Sequence, residues 1–197
     1  MPLTVSGPAA ALAAQPYQAC AAGATIWFTG LPSAGKTTVA QAVAEQLSAR
    51  GHRVELLDGD AIGGTLCADL GFSKPDQDRD VARVGFVAAL LARHGVFALA
   101  PVVSPYAAAR DAVRARHTAL HLPYVEVHVA TPVEECAARD VKGLYAQAYA
   151  GQLPGLTGVD DPYEPPGTPD LRLETVGRMV EESAAEVLAL LRSRGLA

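Results

Sequence analysis

Short apolar runs alternate along the chain with longer stretches in which apolar residues recur every three or four positions. Thr25 to Thr29 is a β-branched and aromatic run ending at Gly30, the pattern of a buried strand. From Thr38 to Ala49, Val39, Val43 and Leu47 fall on one helical stripe, which Gly51 closes. Val54 to Leu57 predicts a second strand. A helix is predicted over Val81 to His94, with Val84, Val87, Leu90 and Leu91 on one face. Val96 to Val103 is a continuous apolar strand, residues 107–120 read as helix, and Tyr124 to Val129 is a fourth strand. Thr131-Pro132, with Glu134 and Glu135 behind it, has the sequence of a helix start. Residues 151–170 are irregular and proline-rich. A loop of that length is uncommon in a compact domain and is often functional. A closing amphipathic helix is predicted over Glu174 to Arg194. Strands alternating with helices imply an α/β fold, a parallel sheet with helices on both faces.

Composition narrows the picture. The 197 residues are half hydrophobic, enough for one core and too few for two full domains. No apolar run is long enough to span a membrane. A net charge of −5 argues against a nucleic-acid partner. Residues 1–22 are rich in Ala and Pro and lack a secretory pattern. They are expected to form a flexible tail on a cytoplasmic protein, with the folded domain over 23–197. Cys20, Cys67 and Cys136 have no disulfide or zinc spacing. Of 16 basic residues only three are Lys, so Lys36, Lys74 and Lys142 stand out.

Gly30-Leu-Pro-Ser-Ala-Gly-Lys-Thr37 fits G-x-x-x-x-G-K-[ST], with a strand before it and a helix after it. Glycines let backbone N–H groups turn inward around phosphate oxygens, and the helix N-terminus adds its positive dipole end. Lys36 would reach the terminal phosphates and Thr37 would offer a hydroxyl to Mg²⁺. Asp58-Gly-Asp60 follows the second strand, at the sheet edge where α/β proteins bind ligands. One carboxylate can orient Mg²⁺ while the other accepts a proton from an attacking hydroxyl. Arg139 to Tyr145 is a polar break between two helical stretches. It could close over a nucleotide and stabilise charge on the transferred group.

Six segments occur in the order seen in adenylylsulfate (APS) kinases: G-L-P-S-A-G-K-T-T at 30–38, L-D-G-D at 57–60, D-L-G-F-S at 69–73, S-P-Y at 104–106, R-D-V-K-G-L-Y at 139–145 and G-L-T-G-V-D-D-P-Y-E at 155–164. The chain resembles that family over about residues 24–175. The resemblance implies a P-loop kinase, usually a homodimer, that moves the γ-phosphate of MgATP to the 3′-hydroxyl of APS. It implies ATP-binding roles for Gly30, Ser33, Ala34, Gly35, Lys36, Thr37, Thr38 and Arg139. Asp58 and Thr37 would serve the metal, and Asp60 would act as base. Lys142, followed by Gly143 and Leu144, would lie near the transferred phosphate, and Ser104 and Phe72 would lie at the acceptor.

The acceptor half departs from the family pattern. D-G-D-N-x-R ends here in Gly63, and D-R-x-x-N-I-R-R reads Asp76-Gln77-Asp78-Arg79-Asp80-Val81-Ala82-Arg83. Leu156 stands where the family places the second ring of an aromatic sandwich. Arginine suits bidentate recognition of phosphate and sulfate. Each lost charge-assisted hydrogen bond costs roughly 1.5–3 kcal/mol, and a lost stacking face about 1–3 kcal/mol. Gln77, Asp80 and Leu156 therefore suggest an acceptor other than APS, such as a nucleoside-like or amino-alcohol metabolite. A genuine APS kinase is the alternative. A silent regulatory subunit is disfavoured, because Lys36, Thr37, Asp58, Asp60 and Lys142 are all present.

Overall fold

The computed structural model describes residues 23–197, with Asp60, Ala61 and Gly63 described by their backbone alone. The tail expected over 1–22 lies outside the described residues. The elements run β1 (Thr25–Thr29), α1 (Lys36–Ala49), β2 (Val54–Leu56), α2 (Gly59–Leu66), α3 (Lys74–Arg93), β3 (Phe97–Pro101), α4 (Ala107–Ala119), β4 (Tyr124–Val129), α5 (Val133–Arg139), α6 (Leu144–Tyr149), β5 (Leu171–Leu173) and α7 (Val180–Ser193).

The strands pair in the order β2-β3-β1-β4-β5, and every pairing is parallel. Central β1 and β4 are buried along their whole length, which explains their unbroken apolar runs. One face of the sheet carries Ile26, Phe28, Leu99, Val125 and Val127. These pack with Val39, Val43 and Leu47 of α1 and Val187, Leu188 and Leu191 of α7. The other face carries Trp27, Ala98 and Ala100 against Val81, Val84 and Ala88 of α3 and Val113 of α4. The expected α/β architecture with both faces covered is therefore the observed one. No helix among the described residues is long and apolar enough to cross a membrane.

Four elements depart from the pattern-based reading. Helix α2 holds Gly59, Gly63 and Gly64, which weaken local helix propensity, and it was not predicted. Helix α3 begins at Lys74 instead of Val81, with Ser73 as its N-cap and Pro75 in the first turn. Those opening turns carry no apolar stripe. Ion pairs hold them instead, Lys74–Asp78 at 2.9 Å and Arg79–Asp76 at 3.1 Å. Strand β5 has only three residues and exists because it pairs with Val127–Val129 of β4. Helix α7 starts at Val180 instead of Glu174, after a turn in which Gly177 takes φ +69°.

Order reverses at β1, which lies between β3 and β4. The chain leaves β1 towards one edge and later returns to the other side, so a crevice opens at the carboxyl ends of the strands. The loops after β1, β2, β3 and β4 all converge there.

Candidate active site

The loop between β1 and α1 is shaped by two positive-φ glycines. Gly30 has φ +150°, and a Cβ there would lie 2.5 Å from the Val129 carbonyl oxygen. Only glycine permits β1 to pass so close to the end of β4. Gly35 has φ +98° and precedes the first turn of α1. Ser33 is also left-handed, at φ +59°. Lys36 is buried, and its Nζ donates to the carbonyls of Gly30 at 3.0 Å and Leu31 at 2.8 Å. Burial pulls its ammonium down to about 8, and the nearby charge of Lys142 pulls the same way. Thr38 is exposed, while Ala34 is fully buried.

Thr37 Oγ1 donates to Asp58 Oδ1 at 3.3 Å, which joins the phosphate loop to the end of β2. Asp58 is the residue before α2, and its carbonyl accepts from Ile62 N at 2.9 Å. Its carboxylate makes no capping bond and so stays turned to the loop. Asp60 lies in the first turn of α2, with its side chain outside the described residues.

The segment after β4 closes the loop from the far side. Ala34 O accepts from Thr131 Oγ1 at 2.8 Å and lies 3.4 Å from both Arg139 Nη1 and Thr175 Oγ1. Thr131 was expected to cap α5; its hydroxyl turns to the phosphate loop instead, and Pro132 precedes the helix. Asp140, at φ +25°, accepts from Tyr145 N at 3.0 Å and Ala146 N at 2.9 Å, and so caps α6. Gly143 turns into α6 at φ +66°, and Leu144 packs on the core. Tyr145 OH donates to Pro32 O at 3.1 Å. The 139–145 segment is thus fastened to the loop at both ends, with Lys142 exposed between them.

The acceptor-side residues do not all face open space. Phe72 is 52% exposed. Leu156 is 2% exposed and belongs to the core cluster that also holds Tyr145 and Val129. Ser104, at φ +42°, is likewise buried. Its hydroxyl donates to Thr29 Oγ1 at 2.9 Å and accepts from Trp27 Nε1 at 3.1 Å, which fixes the turn after β3. Gln77 Nε2 donates to Phe72 O at 2.8 Å and Asp161 Oδ2 at 3.2 Å. Asp80 hydrogen-bonds the Cys67 thiol, which burial first and then this contact push up to about 12. Arg83 reaches Asp69 Oδ2 and Leu66 O, both at 2.9 Å.

Several structural contributors escaped sequence reading. Arg110 is 3% exposed. Its guanidinium donates to Ser104 O at 2.7 Å and Glu164 O at 2.6 Å and pairs with Glu126 at 3.2 Å. One Arg in an Arg-rich helix gives no signal of this. Tyr163 OH lies 3.0 Å from Thr29 Oγ1, which ties the 155–164 loop to the end of β1. Tyr106 and Asp161 also meet, at 2.7 Å. The D-D-P-Y-E segment holds Asp161, Tyr163 and Glu164, but nothing in its spacing shows their partners.

Comparison with known proteins agrees with this geometry. The adenylylsulphate kinase family model matches residues 22–174. An adenylyl-sulfate kinase of Picosynechococcus is 47% identical over 173 residues, covering 88% of this chain and 96% of its own. The solved APS kinase of Mycobacterium tuberculosis, in complex with AMPPNP and APS, is 44% identical with a TM-score of 0.84, over 87% of this chain and 98% of that one. A hexameric APS kinase from Thiobacillus denitrificans is 35% identical with a TM-score of 0.69, over 90% of this chain and 30% of that one. With a family model spanning most of its length and relatives near half identity, the chain belongs to the adenylylsulphate kinase family.

Proposed function

We propose that the protein transfers the γ-phosphoryl group of MgATP to the 3′-hydroxyl of APS. The observation that carries phosphoryl transfer from MgATP is the joint placement of Lys36, Thr37 and Asp58 around a glycine-shaped phosphate loop, with Arg139 over it. The likeness to a kinase solved with AMPPNP and APS supports the same acceptor. It weighs towards the ordinary family reaction over the different acceptor suggested by the sequence.

The phosphate loop fits a nucleotide. Its turn is open only to glycine at Gly30, and the α1 N-terminus points into it. When bound, MgATP supplies the phosphoryl group, and its metal spreads the charge that develops on it. Among the described residues no set of three His, Cys, Asp or Glu side chains gathers to hold a metal alone. That suits Mg²⁺ arriving with phosphate ligands, held by Thr37 and oriented by Asp58. Lys36 exchanges its two carbonyl partners for phosphate oxygens. Arg139 holds the nucleotide side, and Lys142 neutralises the transferred group. Asp60 takes the proton from the acceptor hydroxyl. A homo-oligomeric state, expected as a homodimer, is part of the proposal; the hexameric relative supports self-association.

A second reading, an acceptor less anionic than APS, is favoured by one observation. The Gln77 amide and the retained Arg83 are both engaged by protein atoms. ATP consumption with micromolar APS, beside a panel of nucleosides and amino alcohols, separates the two. Turnover with APS that yields a 3′-phosphorylated product supports the first reading. Faster turnover of a neutral or cationic alcohol overturns it in favour of the second. Silence with every acceptor overturns both.

A further inference from the structure

Asp161 ties together three parts of the acceptor side. Its Oδ2 accepts from Tyr106 OH at 2.7 Å and from Gln77 Nε2 at 3.2 Å. The same Gln77 nitrogen reaches Phe72 O at 2.8 Å, so the carboxylate sits one hydrogen-bonded residue away from Phe72. The Asp161 backbone closes its own loop: its N–H donates to Leu156 O at 3.3 Å, and its carbonyl accepts from Gly158 N at 2.7 Å. The loop also packs on Phe72, since a Cβ at Gly155 would lie 3.5 Å from Phe72 Cβ.

Both donors to Asp161 Oδ2 are neutral. Lys74 pairs with Asp78 at 2.9 Å and lies 3.8 Å over the ring of Tyr106, and Arg79 pairs with Asp76 at 3.1 Å. Neutral donors bring no counter-charge to a carboxylate, and like charges brought together across a binding site cost affinity. Gln77 stands where the family reads Arg, so position 77 offers no guanidinium to that charge.

We propose that Asp161 is a specificity-determining residue that sets the charge preference of the acceptor side, with Gln77 as the neutral donor that holds it in place. The inference rests on the proposed function, in that it takes the acceptor to lie against Phe72. Asp161 disfavours anionic acceptors. An arginine restored at position 77 would pair with Asp161 before it met a ligand.

The test is calorimetric titration of APS into the ADP-loaded protein, for wild type, Asp161→Asn, Gln77→Arg and the double variant. Asn keeps an oxygen for Tyr106 and Gln77, so the loop stays fastened while the charge goes. Asp161→Asn is expected to tighten APS about tenfold and to leave the neutral ligand adenosine, and ADP itself, unchanged. Gln77→Arg alone should gain little, and the double variant should gain more than the two single changes combined. An unchanged or weaker APS affinity in Asp161→Asn overturns the proposal. So does an equal shift for adenosine, which marks a merely structural effect, or an absence of APS binding in all four proteins. Turnover assays on the wild type judge the kinase reading separately. APS binding without phosphoryl transfer would sink that reading and leave the charge comparison standing.

Discussion

The Thr37 hydroxyl donates to the Asp58 carboxylate at 3.3 Å, from the first turn of α1 to the end of β2. The chain between them runs through α1 and β2, and packing α1 on the parallel sheet brings its two ends together. Asp58→Asn keeps the hydrogen-bond acceptor and removes the charge that orients Mg²⁺. It is expected to lower kcat about 10²–10³-fold, the scale of one lost electrostatic stabiliser. Raising Mg²⁺ should recover part of the loss. Steady-state assays across Mg²⁺ concentrations check this, and a kcat within threefold of wild type at every concentration would remove Asp58 from the metal site.

Lys36 is held down to about 8 mainly by burial. Between that value and its usual 10.5, the unfolded chain carries a proton that the folded protein does not. Stability should therefore rise with pH through that window by this group's contribution, and Lys36→Met should flatten the rise. Bound phosphates favour the ammonium, so nucleotide binding near pH 8.5 is expected to take up a fraction of a proton. Titrations in two buffers of different ionisation enthalpy measure that uptake. Lys36→Met should also lose turnover by about 10³-fold or more.

Gly30 and Gly51 both have positive φ, +150° and +85°, but their surroundings differ. A Cβ at Gly30 meets the Val129 carbonyl at 2.5 Å, while Gly51 has nothing within 4 Å. Gly51→Ala should cost only the strain of a left-handed residue, about 1–2 kcal/mol. Gly30→Ala should cost more and should also weaken ATP binding, because β1 must move from β4. Thermal unfolding and ADP titration on the two variants give the comparison; equal losses would refute it.

Arg110 pairs with Glu126 while donating to Ser104 O and Glu164 O. Removing one member of such a buried pair is typically worth about 3–5 kcal/mol. Arg110→Met is expected to lower the unfolding free energy by that order and to loosen the Ser104 turn. Arg110→Met together with Glu126→Leu should recover part of the loss, since no lone charge stays buried. Denaturant titration of the three variants decides; a double variant no more stable than Arg110→Met would count against the pairing.

Much of the fold was legible in the chain. Strands β1, β3 and β4 are buried on both faces, so their apolar runs are continuous, and α1 shows its stripe in Val39, Val43 and Leu47. The start of α3 and the whole of α2 were not legible, because a capped, ion-paired or glycine-rich helix has no apolar period. In the candidate site, Lys36, Thr37 and Asp58 were legible from local spacing. The burial of Leu156 was not legible, because it belongs to a core cluster whose other members are distant in sequence.

The sequence by itself determined the phosphate loop, since glycine spacing and one lysine between a strand and a helix act within a few residues of chain. It also determined the α/β class and the family. Only the tertiary structure decided which polar groups are spent. Ser104 is occupied by Trp27 and Thr29, Gln77 by Phe72 and Asp161, and Thr131 serves the loop instead of capping α5. A hydrogen bond saturates its donor. Which partner claims it depends on distances set by the packed sheet, and residue type alone does not contain them.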